Sequence, residues 1–153
     1  MADRSGKIQP GDVFEVAVDV GFGHIQFIGT HAEYGAAIRV VPSVSAKAED
    51  IVASLFEGNS YITFYPVRAA LSKKLIRKVG HLPAPSIPQR LRRAGVRIGR
   101  QVETWIIEDE TGETLCRSLS ESQLSLPIAA IWNHEFLVHR IREGWHPRPG
   151  GAA

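Results

Sequence analysis

The chain has 153 residues, 44% of them hydrophobic, which is long and apolar enough to bury the core of one domain. Its one cysteine, Cys116, excludes an internal disulfide framework and favours a reducing compartment. No apolar run reaches the length of a signal peptide or a membrane span, so we expect a cytoplasmic protein without a membrane partner. Residues 147–153 are rich in proline and glycine and predict a disordered tail after a single domain, residues 1–146.

The N-terminal part of the chain predicts an antiparallel meander. Three runs with high β propensity end at glycine or proline: residues 11–19, 24–28 and 36–41. Ser45 is then predicted to cap a short helix that stops at Gly58, because four apolar residues recur at helical spacing: Ile51, Val52, Leu55 and Phe56. Residues 61–65 predict the next strand.

The middle of the chain predicts a helical turn over 67–72, an extended piece over 75–80 and an irregular connection over 81–88, which carries three prolines. Two β-rich runs, 102–108 and 114–117, flank a polar turn with Gly112 and predict a hairpin. Most of the aromatic side chains fall in predicted strands or on the final helix, and we expect them to be in the core: Phe14, Phe27, Tyr61, Phe64, Tyr65, Trp105 and Trp132.

The last predicted element is a helix that begins near Ser125, has Pro127 in its first turn and runs to Arg142. Its apolar stripe is interrupted once, by Glu135, and consists otherwise of Ile128, Ile131, Trp132, Val138 and Ile141. The whole pattern predicts an α+β domain: a bent antiparallel sheet, SH3-like in its N-terminal half, with a C-terminal amphipathic helix packed on it.

Two segments are similar to a catalytic motif and a cofactor-binding motif, but their residues do not have the spacing that these motifs require. His134 and His139 are five residues apart, about 140° around a helix, so they cannot ligate one zinc ion as the H-E-x-x-H motif does. Gly21-Phe22-Gly23 has Gln26 where a dinucleotide loop needs its third glycine. We therefore predict no catalytic residue, no cofactor and no metal. A small hydrolase-like enzyme without a recognisable motif stays open if His24, His81 or the His134 and Glu135 pair lines a cleft.

Charge is distributed unevenly. Between Arg68 and Arg100 there are ten basic residues and no acidic one, whereas the rest of the chain has eight basic and sixteen acidic residues. The basic segment is either a contact surface for phosphates or an acidic protein, or it is matched internally by the acidic hairpin turn. Residues 68–100 contain no aromatic side chain on which a base could stack. Binding to a duplex backbone is therefore the nucleic-acid alternative, and single-strand recognition is not expected.

One set of segments carries a family resemblance: Gly11-Asp12-Val13-Phe14, Arg39-Val40-Val41, the Phe64 region, Ile76-Arg77-Lys78-Val79-Gly80-His81-Leu82-Pro83 and Thr104-Trp105-Ile106-Ile107. Together they resemble the immunity protein 26 family of bacterial polymorphic toxin systems over most of residues 10–110. The family's tryptophan before the Gly-x-x-Pro turn is replaced here by Ile76 or Arg77. The resemblance implies a non-catalytic protein that binds and neutralises a toxin, and proteins that neutralise nuclease toxins tend to have acidic surfaces.

These observations predict a protein-binding module and two candidate contact surfaces, with the oligomeric state left open. The basic one consists of Lys73, Lys74, Arg77, Lys78, Arg90, Arg92 and Arg93. The acidic one consists of Asp109, Glu110 and Glu113. Because interface hot spots are usually aromatic or arginine, Arg93 and Trp145 are the individual residues that we expect to contribute most to binding.

Overall fold

The computed structural model describes residues 7–46, 53–95, 97–99 and 101–148. Its elements, in chain order, are β1 (Asp12–Val18), β2 (Gly21–His31), β3 (Gly35–Val40), a 3-10 turn (Ala53–Phe56), β4 (Tyr61–Phe64), α1 (Val67–Ser72), β5 (Ile76–His81), β6 (Leu91–Ala94), β7 (Arg97–Ile98), β8 (Gln101–Val102), β9 (Trp105–Asp109), β10 (Gly112–Cys116), α2 (Glu121–Leu124) and α3 (His134–Glu143). The α+β class is confirmed.

The first sheet has five antiparallel strands in the order β4-β3-β2-β1-β5. It contains the predicted meander, and β5 pairs with β1 at its edge. The apolar residues of these strands bury one large cluster and parts of two smaller ones, and the aromatic residues expected in the core are all buried. Burial of such a side chain contributes about 1.5–3 kcal/mol to the free energy of folding. This gain explains why the strands form where the sequence has alternating apolar residues.

The predicted final helix is wrong over its first nine residues. Residues 127–132, called the bridging segment below, are extended and hydrogen-bond to β6 on one side and to β4 on the other. The amide of Ala129 donates to the Arg92 carbonyl (2.8 Å), and the amide of Ile128 donates to the Ile62 carbonyl (2.8 Å). The segment therefore joins the first sheet to a second one, of order β10-β9-β6.

The helix itself begins at His134 because Asn133 caps it: the Asn133 side chain accepts a hydrogen bond from the Phe136 amide (2.7 Å). Its buried residues, Leu137 and Ile141, pack on β1 and β2. A Cβ at Gly23 would lie 2.5 Å from a methyl of Ile141, so glycine at this position permits the close approach of helix and sheet. The prediction of a C-terminal helix packed on the sheet is confirmed.

Three further expectations concern a helix cap, a hairpin and the C-terminal tail. The amide and carbonyl of Ser45, the predicted helix cap, pair with Phe22 as an isolated bridge. Of the helix predicted after it, residues 53–56 form a 3-10 turn, and residues 47–52 lie outside the described residues. The hairpin predicted around Gly112 is confirmed as β9 and β10. Of the predicted disordered tail, residues 147 and 148 are irregular and the others are outside the described part of the chain.

Candidate protein-contact surface

The hairpin β9–β10 and the turn between β2 and β3 form an acidic cleft of about 330 Å³. Five carboxylates line it: Glu33, Glu108, Asp109, Glu110 and Glu113. Three of them, Asp109, Glu110 and Glu113, were predicted from the sequence because they lie close together in the hairpin. Glu33 and Glu108 were missed because only the tertiary fold brings the β2–β3 turn beside the hairpin.

Tyr34 holds the turn against the hairpin. Its hydroxyl donates a hydrogen bond to Glu108 Oε1 (2.6 Å), and its ring stacks on Phe64 with ring centroids 5.1 Å apart. His31 Nδ1 accepts hydrogen bonds from the amides of Glu33 and Tyr34, which shapes the turn. Burial and the neighbouring Glu108 carboxylate raise the pKa of Tyr34, so the hydroxyl stays a donor at neutral pH.

Arg93, on β6 beside the hairpin, forms ion pairs with two of the cleft carboxylates. Its Nε lies 3.2 Å from Glu108 Oε2 and its Nη2 lies 2.7 Å from Glu113 Oε1. Thr111 donates two hydrogen bonds to Asp109, and these lower the pKa of that carboxyl. Glu33, Asp109 and Glu110 form no ion pair with another described residue, and the cleft therefore keeps a negative charge at neutral pH.

An apolar cavity of about 460 Å³ lies on the other side of Tyr34. Phe27, Tyr65, Val67 and Ile131 contribute to its walls, and Ile131 on the bridging segment is 62% exposed at this place. The Tyr65 hydroxyl is 2.8 Å from His134 Nδ1, and burial raises the pKa of Tyr65 to about 12 while it lowers the pKa of His134. Tyr34 is thus shared between an acidic and an apolar surface.

The seven residues of the predicted basic surface have different surroundings in the fold: some form ion pairs, one is buried and others are exposed. Arg77 pairs with Glu15 (3.1 Å) and Lys78 with Asp12 (3.3 Å), both on β1. Arg93 pairs with the hairpin, so three of the seven residues are matched by carboxylates, but only Arg93 is matched by the hairpin as the internal-match alternative expects. Among the described residues, Lys73, Lys74 and Arg90 are exposed and without an ion-pair partner.

Arg92 and Trp145 were placed on contact surfaces by the sequence analysis, and this part of the prediction is wrong because both side chains are buried. Arg92 is 2% exposed, and its guanidinium lies over the Trp105 ring, 5.1 Å from the ring centroid. Burial lowers the pKa of Arg92 to about 10, so it remains charged at pH 7. Trp145 is 9% exposed and packs against Tyr61 and Trp132.

Most of the segments that carry the family resemblance lie in or beside the first sheet, whereas Trp105-Ile106-Ile107 lies in β9 of the second sheet. His81 Nδ1 is 2.9 Å from Asp12 Oδ1, and the side-chain amide of Gln26 donates to the Leu82 carbonyl (2.9 Å). Gly11 has a φ of +106°, and a Cβ there would lie 2.5 Å from the Leu82 carbonyl oxygen. The Gly11-Asp12 and His81-Leu82 residues therefore have a structural role in closing β5 onto β1.

The histidines that could have indicated an active site are apart from each other. His24 is buried in β2, His81 contacts Asp12, and His134 contacts Tyr65; none of the three lines the acidic cleft or the apolar cavity. His139 pairs with Glu143 near the end of α3. Within the described residues, no group of three or more His, Cys, Asp or Glu side chains is placed to hold a metal ion.

No protein-family model, curated protein or solved structure matches this chain. None of the helices in the described part of the chain has the length and apolar character to cross a membrane.

Proposed function

We propose that this chain is a non-catalytic protein-binding domain whose acidic cleft binds a basic partner, and that the partner is a toxin domain that it neutralises. The observation that carries the proposal is the convergence of Glu33, Glu108, Asp109, Glu110 and Glu113 on one concave surface. A concave surface of one charge attracts a partner of the opposite charge and orients it before contact. Nuclease domains have basic surfaces because they bind phosphates, and they are the toxin class that fits this cleft.

The apolar cavity beside the cleft supports binding to a protein. Interfaces combine an apolar centre with a polar or charged rim, and Tyr34 joins these two kinds of surface here. Tyrosine is also among the residues that contribute most to protein interfaces. The proposal retains the cytoplasmic location expected from the single cysteine, Cys116.

The test is protection of cells from the toxin domain encoded next to this gene. Co-expression of the chain should restore growth, and the Glu33→Lys/Glu110→Lys variant should fail to restore it. The Glu57→Lys/Glu103→Lys variant is the control, since it changes the net charge equally at exposed positions that do not line the cleft. With purified proteins in low salt, we expect the cleft variant to raise the dissociation constant about tenfold or more and the control to change it little.

Two results would overturn the proposal. One is an adjacent gene set without any toxin domain, which removes the immunity role. The other is a cleft variant that protects cells as well as the control variant does, because the acidic cleft would then not contact the toxin.

A further inference from the structure

Among the described residues, strand β10 is an edge of the second sheet. It pairs with β9 on one side, and four of its five residues are exposed. Leu115, the fourth of its five residues, is 71% exposed, the largest exposed fraction among the large apolar side chains of the described residues. An exposed strand edge with an apolar side chain offers backbone donors and acceptors to another extended chain.

Strand β5, which is an edge of the first sheet, carries the usual protection against such pairing. Arg77 and Lys78 are charged residues on that strand, and the pairing of β5 with β1 shifts register between Val13 and Phe14. By contrast, β10 has no lysine, arginine or proline, and its ladder with β9 runs without a register shift from Gly112 to Cys116. The two edges therefore differ in the features that natural sheets use to prevent strand addition.

Side chains on one face of the hairpin indicate what a further strand would carry. Glu113 is opposite Glu108 and Leu115 is opposite Ile106, so Glu113 and Leu115 point to the same side of the sheet, two residues apart. Cross-strand neighbours of opposite charge, and apolar pairs, stabilise strand pairing. A strand added to β10 fits best with a basic side chain next to Glu113 and an apolar one next to Leu115. Arg93 contacts Glu113 from the β6 side, and the Glu113 side chain remains 55% exposed.

We infer that β10 is a docking edge, to which an extended segment of the partner with alternating basic and apolar side chains adds as a further strand. The inference rests on the proposed function, because it specifies how the same basic partner is bound. A second copy of this chain fits less well: pairing of two β10 strands would bring two acidic turns, each with Asp109, Glu110 and Glu113, close to each other.

The experiment uses the full chain and the peptide Ac-KTLTKTLT-NH2, in which lysine and leucine project to the same face of a strand. The control peptide, Ac-KLTTKLTT-NH2, has the same composition but projects them to opposite faces. We expect the first peptide to shift the NMR signals of the β10 amides and to slow their hydrogen exchange, and the control peptide to do so much less. Leu115→Lys should weaken the binding of the first peptide about tenfold, which is about 1.4 kcal/mol. Val20→Lys should leave binding unchanged, because it places the same charge at another exposed apolar residue, 59% exposed.

Several results would overturn the inference: no effect on β10, equal effects of the two peptides, or equal effects of the two variants. Self-association of the chain that Leu115→Lys abolishes would also overturn it, since the edge would then bind a second copy. Failure here is distinguishable from failure of the proposed function. If Leu115→Lys still protects cells from the toxin and the Glu33→Lys/Glu110→Lys variant does not, the docking edge is rejected and the acidic cleft is retained.

Discussion

Asp12 shows how one buried carboxylate connects three parts of the chain. Burial by itself raises its pKa, but hydrogen bonds from the Gln9 amide, His81 and Lys78 outweigh burial, and the pKa of Asp12 is below its usual value. A carboxyl with a depressed pKa in the folded state stabilises the fold above its unfolded-state pKa, about 3.9. This contribution is lost as the pH falls through the folded-state pKa.

We therefore expect Asp12→Asn to lower the free energy of unfolding by about 1–3 kcal/mol near neutral pH, since a charged, hydrogen-bonded acceptor is lost at a buried site. The difference from the unmodified chain should shrink as the pH falls below about 4. Urea unfolding at several pH values measures this. Asp19→Asn is the control, because Asp19 is exposed and its ion pair with Arg142 contributes less than about 1 kcal/mol. Equal destabilisation by both variants would contradict the assigned role of Asp12.

At the scale of elements, the bridging segment is the main departure from the sequence-based fold. Ile128, Ile131 and Trp132 continue the helical spacing of α3 backwards, which is why the segment was predicted as its start. Two local signals oppose that interpretation: Asn133 is a strong N-cap, and Pro127 lacks an amide donor. A capping box of Ser120 and Gln123 begins α2, a short helix that was not predicted, and the side chain of Gln123 accepts a hydrogen bond from the Ser120 amide (2.8 Å).

Ala129→Pro tests whether the bridging segment joins the two sheets. The substitution removes the amide that donates to the Arg92 carbonyl and should lower the free energy of unfolding by about 1–3 kcal/mol. Amides of β6 and β9 should exchange faster with solvent, whereas β1 and β2 should stay protected. Ala129→Gly retains the amide and should have a smaller effect on both measurements. An equal increase of exchange throughout the chain would show that the segment does not connect separable sheets.

At the scale of the whole molecule, the uneven charge of the sequence is resolved in part within the fold, where three of the seven residues of the predicted basic surface form ion pairs. The β1 carboxylates of Glu15 and Asp12 pair with Arg77 and Lys78, and the hairpin pairs with Arg93. After these ion pairs are formed, the acidic cleft is still a concave surface with a negative charge. The distribution therefore favours a basic protein partner over a nucleic acid.

We expect binding of duplex DNA to be weaker than about 100 μM at physiological salt, because nonspecific binding requires several basic side chains that can contact phosphates together. A gel shift or fluorescence anisotropy titration at two salt concentrations measures it. Tighter binding that weakens steeply with salt and is lost in Lys73→Glu/Lys74→Glu would contradict the prediction and favour a duplex-backbone role for the basic segment.

Local sequence determined the strands of the meander, the α1 turn, the β9–β10 hairpin and the buried aromatic residues, because period-two alternation, β propensity and turn residues act over a few neighbouring positions. The tertiary structure decided which charges meet and which side chains stay exposed. Tyr34 and Glu108 are 74 residues apart in the sequence, and no local pattern predicts their hydrogen bond. Likewise, the bridging segment is extended because its backbone forms hydrogen bonds with an edge strand of each sheet. These hydrogen-bonding partners are in place only when both sheets have formed.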